Sequence, residues 1–153
     1  MNLPASVVCP VMDEILATMY FCEPVYRGEA CVEGPALGAK VEFSGPFAGE
    51  FRLVVARGLA SQLAADFLGA DLSEVTLPQV EATVVELANV ACGFTMSAWL
   101  PAASFHYSVP AELAEDLRRA RFSHCFSVAA TPDLAVDIAL PVTSSSAPGK
   151  PLL

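Results

Sequence analysis

Glu86 and Asn89 stand three residues apart in VVELANVACGFTMSAW, Val84 to Trp99, where nearly every other residue is apolar or small. A carboxylate can pair with a cation. A carboxamide offers both a donor and an acceptor and is not lost to protonation. At positions i and i+3 of a helix two side chains are neighbours, so they can enter one partner site together.

The helix that carries them is well marked. Thr76 suits the N-cap, Gln79 completes a T-x-x-Q capping box, and Pro78 is tolerated in the first turn. The helix is expected to run to about Leu100, where Pro101 blocks it. On a wheel of about 100° per residue, Gln79, Ala82, Asn89, Gly93 and Ser97 fall within about 60° of Glu86. The opposite half carries Val80, Val84, Leu87, Ala88, Ala91, Phe94 and Ala98. Such a helix lies in the middle of a domain with one stripe open. The small residues Ala82 and Gly93 on that stripe let another backbone approach, while Glu86 and Asn89 project from between them. An exposed Glu and Asn can also simply mark the wet side of a buried helix. Against that, Asn is scarce here, only Asn2 and Asn89, and it is a mediocre helix former.

The remaining elements must position this helix. Met12, Ile15, Leu16 and Met19 recur at helical spacing, predicting a first helix from about Pro10, in its first turn, to Cys22. The segment EPVYRGEACVEGPALG is turn-rich and receives no assignment. KVEFSGPFAGEFRLVVARG predicts a β-hairpin turning at SGPFAG. A helix over about Leu59–Leu68 follows, with Leu59, Leu63 and Phe67 on one side and Gly69 as its stop. After the long helix, SFHYSVP, RFSHCFSVAAT and DLAVDIALPV alternate like strands, with TPDL as a turn. AELAEDLRRA reads as a short helix or a long connection. The fold class expected is α/β of the α+β type, a mostly antiparallel sheet packed with long helices. One domain spans 1–143, and the Ser/Pro/Gly-rich residues 144–153 form a loose tail.

Composition bounds the function. The chain of 153 residues is 54% hydrophobic and 16% charged, enough to bury a sizeable core. The net charge of −9 argues against nucleic acid and anionic membrane surfaces as partners. DLRRAR, Asp116–Arg121, is a local basic cluster better explained as a solvated face. No stretch has the roughly 18 uncharged apolar residues of a membrane span. MNLPASVVCPVMDE lacks the basic start of a secretory signal, so the expected location is the cytoplasm. The five cysteines, Cys9, Cys22, Cys31, Cys92 and Cys125, form no CxxC pair and fit reduced, small apolar use. His106 and His124 lack any metal-ligand spacing, so no metal site is expected.

From Lys40 to about Ala111 the sequence resembles the CheX-like branch of the CheX/CheC/FliY chemotaxis phosphatases. The resemblance rests on FSGPFAGEFRLVVARGLASQLAADFLG, on VVELANVACGF with its E-L-A-N core and a Gly four residues past the Asn, and on the SVP that follows. It covers about half the chain well. It implies a CheX/CheC-like fold whose long helix lies along the active site of a phosphorylated CheY-like response regulator. Asn89 would orient the water that attacks the phosphoaspartate, and Glu86 would pair with the regulator's conserved lysine. Catalysis would then be mostly positioning and electrostatics. Ala82, Thr83 and Gly93 would border the docking surface. The Mg²⁺ would belong to the regulator, so this chain needs no cofactor.

Two departures matter. The family pattern often has Asp or Ser four residues before the Glu, where this chain has Ala82 with Thr83 beside it. Some members also carry the motif twice, but VMDEILATMY has Ala17 three residues after Glu14. One site is therefore expected, as in the single-site members, which are similar to homodimers. The alternative is a regulator-binding or flagellar-switch-type module of the same fold without catalysis. A thiol enzyme using Cys92 or Cys125 is a third reading, set against Cys92's place on the packed flank of the helix.

Overall fold

The computed structural model describes residues 2–129 and 131–141. Alternation builds its sheet. In β2 (Ala36–Ser44) and β3 (Gly49–Ala56), the residues Ala39, Val41 and Phe43 and the residues Phe51, Leu53 and Val55 are buried together on one face. The two strands pair antiparallel, Ala39 opposite Leu53 and Val41 opposite Phe51, around the expected SGPFAG turn. β7 (Leu134–Ala139) flanks β3, β6 (Phe122–Ser127) flanks β7, and β1 (Val25–Ala30) lies outermost. On the other side, the two-residue strands β4 (His106–Tyr107) and β5 (Ala111–Glu112) both pair with β2. All pairings among the described residues are antiparallel.

One face of this sheet is covered by α1 (Ala5–Tyr20), α2 (Arg57–Leu68) and α3 (Leu77–Trp99). Met12, Ile15 and Leu16 of α1, Leu63 of α2 and Leu87 and Met96 of α3 enter the same core as the inward residues of β2 and β3. Each such Leu, Ile or Met contributes roughly 1.5–3 kcal/mol by leaving water. On the opposite face, Leu113 and Leu117, the latter in the single-turn α4 (Glu115–Arg118), close a smaller cluster over Val54, Cys125 and Ala135. The rest of that face is polar: Glu50 pairs with Lys40 at 3.6 Å and with Arg52 at 2.6 Å. The α+β architecture is the one expected.

Several boundaries differ from the sequence reading. α1 starts at Ala5, so Pro10 lies inside it rather than in its first turn. Pro10 and Ser6, whose carbonyl a residue-10 amide would have reached, are both exposed. Burial of Val8 and Met12 on the core side carries the helix through the proline. The unassigned segment after α1 holds β1, broken by register shifts on both sides of Gly28. AELAEDLRRA contains both β5 and α4. Phe67, expected on the core side with Leu59 and Leu63, is 50% exposed. Phe94 and Ala98, expected on the packed half of α3, are also exposed. α3 has 23 residues against 16 in α1 and 12 in α2, so its flanking helices do not cover its whole length. The expected domain end at 143 and the tail 144–153 lie outside the described residues.

Candidate functional site

The site is an open stripe on a firmly held helix. At its start, the Thr76 hydroxyl accepts from the Gln79 amide at 3.3 Å, and the Gln79 side chain accepts from the Thr76 amide at 2.9 Å. This reciprocal box satisfies two amides that the helix itself leaves unpaired. At its far end, Trp99 packs edge-on against Phe47 of the β2–β3 turn, their centroids 6.1 Å apart. Phe47 in turn packs on Phe43 and Phe105. The hairpin tip therefore clamps the helix end, and Val80, Val84, Leu87, Ala88, Ala91, Cys92 and Met96 bury its inner side.

That burial turns Glu86 and Asn89 outward. Both are exposed, as are Gln79, Ala82 and Ser97 of the same stripe. Among the described residues Glu86 joins no ion pair. Gly93, one turn beyond Asn89, is half-buried, and a Cβ built on it would meet nothing within 4 Å. Nothing among the described residues requires a glycine there; a side chain would only narrow the approach to Asn89 from outside. Thr83 is placed differently from its neighbours. It is 7% exposed, and its hydroxyl donates to the Gln79 carbonyl at 2.9 Å. Its hydroxyl is thus committed to its own helix, and only Ala82 of this pair faces outward freely.

Beside Glu86 runs a groove of about 310 Å³ lined by Tyr20, Phe67, Leu68, Gln79, Ala82, Thr83 and Glu86. Tyr20, at the end of α1, is 1% exposed and meets the Phe67 ring at a centroid distance of 5.7 Å. Its hydroxyl is pushed up to about 12, first by burial and then by the Glu86 carboxylate. Sequence reasoning missed Tyr20, Phe67 and Leu68. Their signal is long-range, because three separate helix segments meet only in the folded chain. A larger concavity of about 610 Å³, lined by Glu42, Glu50, Arg52, His106 and Tyr107 among others, lies against the polar face of the sheet and includes neither Glu86 nor Asn89.

Cys92, Cys125 and His124 serve the fold. Burial pushes the Cys92 thiol up to about 12 and the Cys125 thiol to about 11, so neither is poised as a thiolate nucleophile. His124 is 6% exposed, held between the Tyr26 hydroxyl at 2.8 Å and the Leu3 carbonyl at 2.6 Å. It ties the start of the chain and β1 to β6. Among the described residues no helix is long and apolar enough to cross a membrane.

The family model described as "Chemotaxis phosphatase CheX" matches residues 37–140, well over half of the chain. The chain belongs to the CheX family. The match spans the hairpin, α2, all of α3 and the strands that follow. Solved CheX proteins share the fold. CheX from Desulfovibrio desulfuricans superimposes with a TM-score of 0.67 at 16% identity, covering 90% of this chain and 98% of that one. CheX from Vibrio vulnificus gives 0.69 at 15% identity, covering 89% and 95%. A CheX–CheY–BeF3–Mg²⁺ complex from Borrelia burgdorferi gives 0.68 at 15% identity, covering 88% and 96%. No curated protein sequence matches the chain.

Proposed function

We propose that this CheX-family chain hydrolyses the phosphoaspartate of a CheY-like response regulator. The observation that carries the reading is the pair Glu86 and Asn89, exposed side by side on the open stripe of a helix that is otherwise buried and capped. When α3 lies along the regulator's active site, the Asn89 carbonyl accepts a hydrogen bond from water and directs its lone pair at phosphorus. The water oxygen forms a bond to phosphorus as the bond to the aspartate oxygen breaks, releasing phosphate and a free carboxylate. The carboxamide stays a donor and an acceptor at every working pH. Glu86 pairs with the regulator's lysine and fixes the register of docking. The Mg²⁺ is the regulator's, so the reaction asks no metal ligand and no cofactor of this chain. Ala82 and Gly93 leave room for the regulator's backbone, and Thr83 supports the stripe from beneath. Catalysis of this kind is positioning and electrostatics. The working form is a homodimer in the cytoplasm; the dimer follows from the family resemblance and is checked by light scattering.

One observation favours a second reading, a regulator-binding or flagellar-switch-type module without catalysis. Where the family pattern often has an acid or Ser, Ala82 offers no polar group, and the neighbouring Thr83 hydroxyl is spent on Gln79. The deciding experiment follows the decay of a phosphorylated CheY-type regulator with wild type and with Asn89→Ala. Acceleration by wild type alone supports hydrolysis. Saturable binding without acceleration supports the module.

A further inference from the structure

We propose that the groove beside Glu86 seats one apolar side chain of the response regulator, projecting next to the lysine that Glu86 pairs with. The inference rests on the docking role of Glu86 and names a contact that selects the partner. The groove shares Ala82, Thr83 and Glu86 with the docking stripe, so a partner laid on Glu86 covers it as well. Its other wall exposes large apolar surface: Phe67 is 50% exposed and Leu68 47%, side by side at the end of α2. Tyr20 forms a rigid floor under Phe67. Exposed apolar surface that adjoins a polar anchor in this way marks an interaction site.

The composition of the groove defines what fits. Among the described residues that line it the one charge is the Glu86 carboxylate at the rim, and Ala82 lies one turn, about 6 Å, below it along the helix. The complement is a cation with an apolar side chain about one turn away. Phe21, next to Tyr20, is 75% exposed and holds a left-handed backbone at φ 59° where glycine is the usual residue. An exposed aromatic kept in that conformation extends the apolar surface at the end of α1.

The test measures regulator dephosphorylation against regulator concentration for wild type, Leu68→Ser, Leu68→Met and Phe67→Ser, with thermal melting of each. Leu68 is at an exposed helix end, so its variants fold even if Phe67→Ser does not. Loss of this contact raises KM about tenfold in Leu68→Ser, leaves kcat within about twofold, and is rescued in Leu68→Met. If wild type binds without catalysing, the same rise in Kd supports the groove. An unchanged KM or Kd in folded Leu68→Ser overturns the groove while leaving the phosphatase reading intact. Loss of a dimer in Leu68→Ser with KM unchanged assigns the groove to a second copy and overturns the proposal. Neither acceleration nor binding by wild type removes the reading and the groove together.

Discussion

α1 and α3 each present four residues that begin with Glu and share one pattern of burial, but they end differently. α1 carries Glu14-Ile-Leu-Ala17, and α3 carries Glu86-Leu-Ala-Asn89. In both, the two middle residues are buried and the outer two exposed. The helical period and one shared core therefore produce an outward-facing pair twice over. Exposure of the pair belongs to the scaffold, and the proposed chemistry rests on a single carboxamide. The surroundings differ too. Glu14 follows the exposed acid Asp13, whereas Glu86 follows the apolar Val85 and adjoins the groove of Tyr20, Phe67 and Leu68.

The sharpest way to break this contrast is to make α3 resemble α1. Asn89→Ala removes the group proposed to orient water and is expected to lower kcat about a hundredfold or more, with KM for the phosphorylated regulator held within about twofold. Melting stays at the wild-type temperature, because the side chain is exposed. A kcat within a factor of a few of wild type would show that Asn89 is only the wet side of the helix. Glu86→Ala is the next largest effect. It raises KM about tenfold and lowers kcat little, and raising ionic strength shifts the wild-type KM in the same direction. A salt-independent KM, unchanged in Glu86→Ala, would deny the ion pair.

The buried sides of the two helices differ as well. Cys9 on α1 is half-buried, while Cys92 on α3 is fully buried, its thiol pushed up to about 12. In the unfolded chain that thiol ionises near the ordinary value of 9.0. The folded-state value is raised, so its contribution is complete below the unfolded value and is lost as pH rises toward 12. Between pH 9 and pH 10 the fold loses on the order of 1 kcal/mol from this residue. Melting temperature measured from pH 7.5 to pH 10 falls in wild type, and the fall is shallower in Cys92→Ala. An equal slope in both would place the alkaline sensitivity elsewhere, Tyr20 and Cys125 being raised too.

Legibility in the sequence followed the range of the interaction. The capping box of Thr76 and Gln79 and the exposure of Glu86 and Asn89 are local consequences of helical spacing, and both were readable. The β2–β3 hairpin was readable because its alternation and its turn are continuous. β1 was not, because the register shifts around Gly28 break its alternation. β4 showed in the alternation of SFHYSVP, though only two of its residues pair, whereas β5 is two residues long and below any periodic signal; both exist because β2 offers them an edge. The helical wheel puts Phe94 on the packed half of α3 because a wheel reports direction about an axis and says nothing of which neighbour reaches each turn. The groove was invisible for the same reason: Phe67 reads as core until α1 is in place and its Tyr20 occupies the floor.

The smallest expected effect tests whether the pair suffices without its surroundings. Ala17→Asn rebuilds E-x-x-N on α1 at an exposed position, with a helix-propensity cost of about half a kcal/mol. Placed in the Asn89→Ala background, it leaves regulator decay at the Asn89→Ala rate. The rebuilt pair has the right spacing, but Asp13 beside Glu14 changes the charge a regulator would meet. The groove proposed to hold a partner in register lies against α3, with α1 giving it only Tyr20, its last residue. Restored acceleration in the double variant would mean that spacing and exposure alone make the site. The comparison of the two helices would then reduce to one residue, and the groove would have no part in the chemistry.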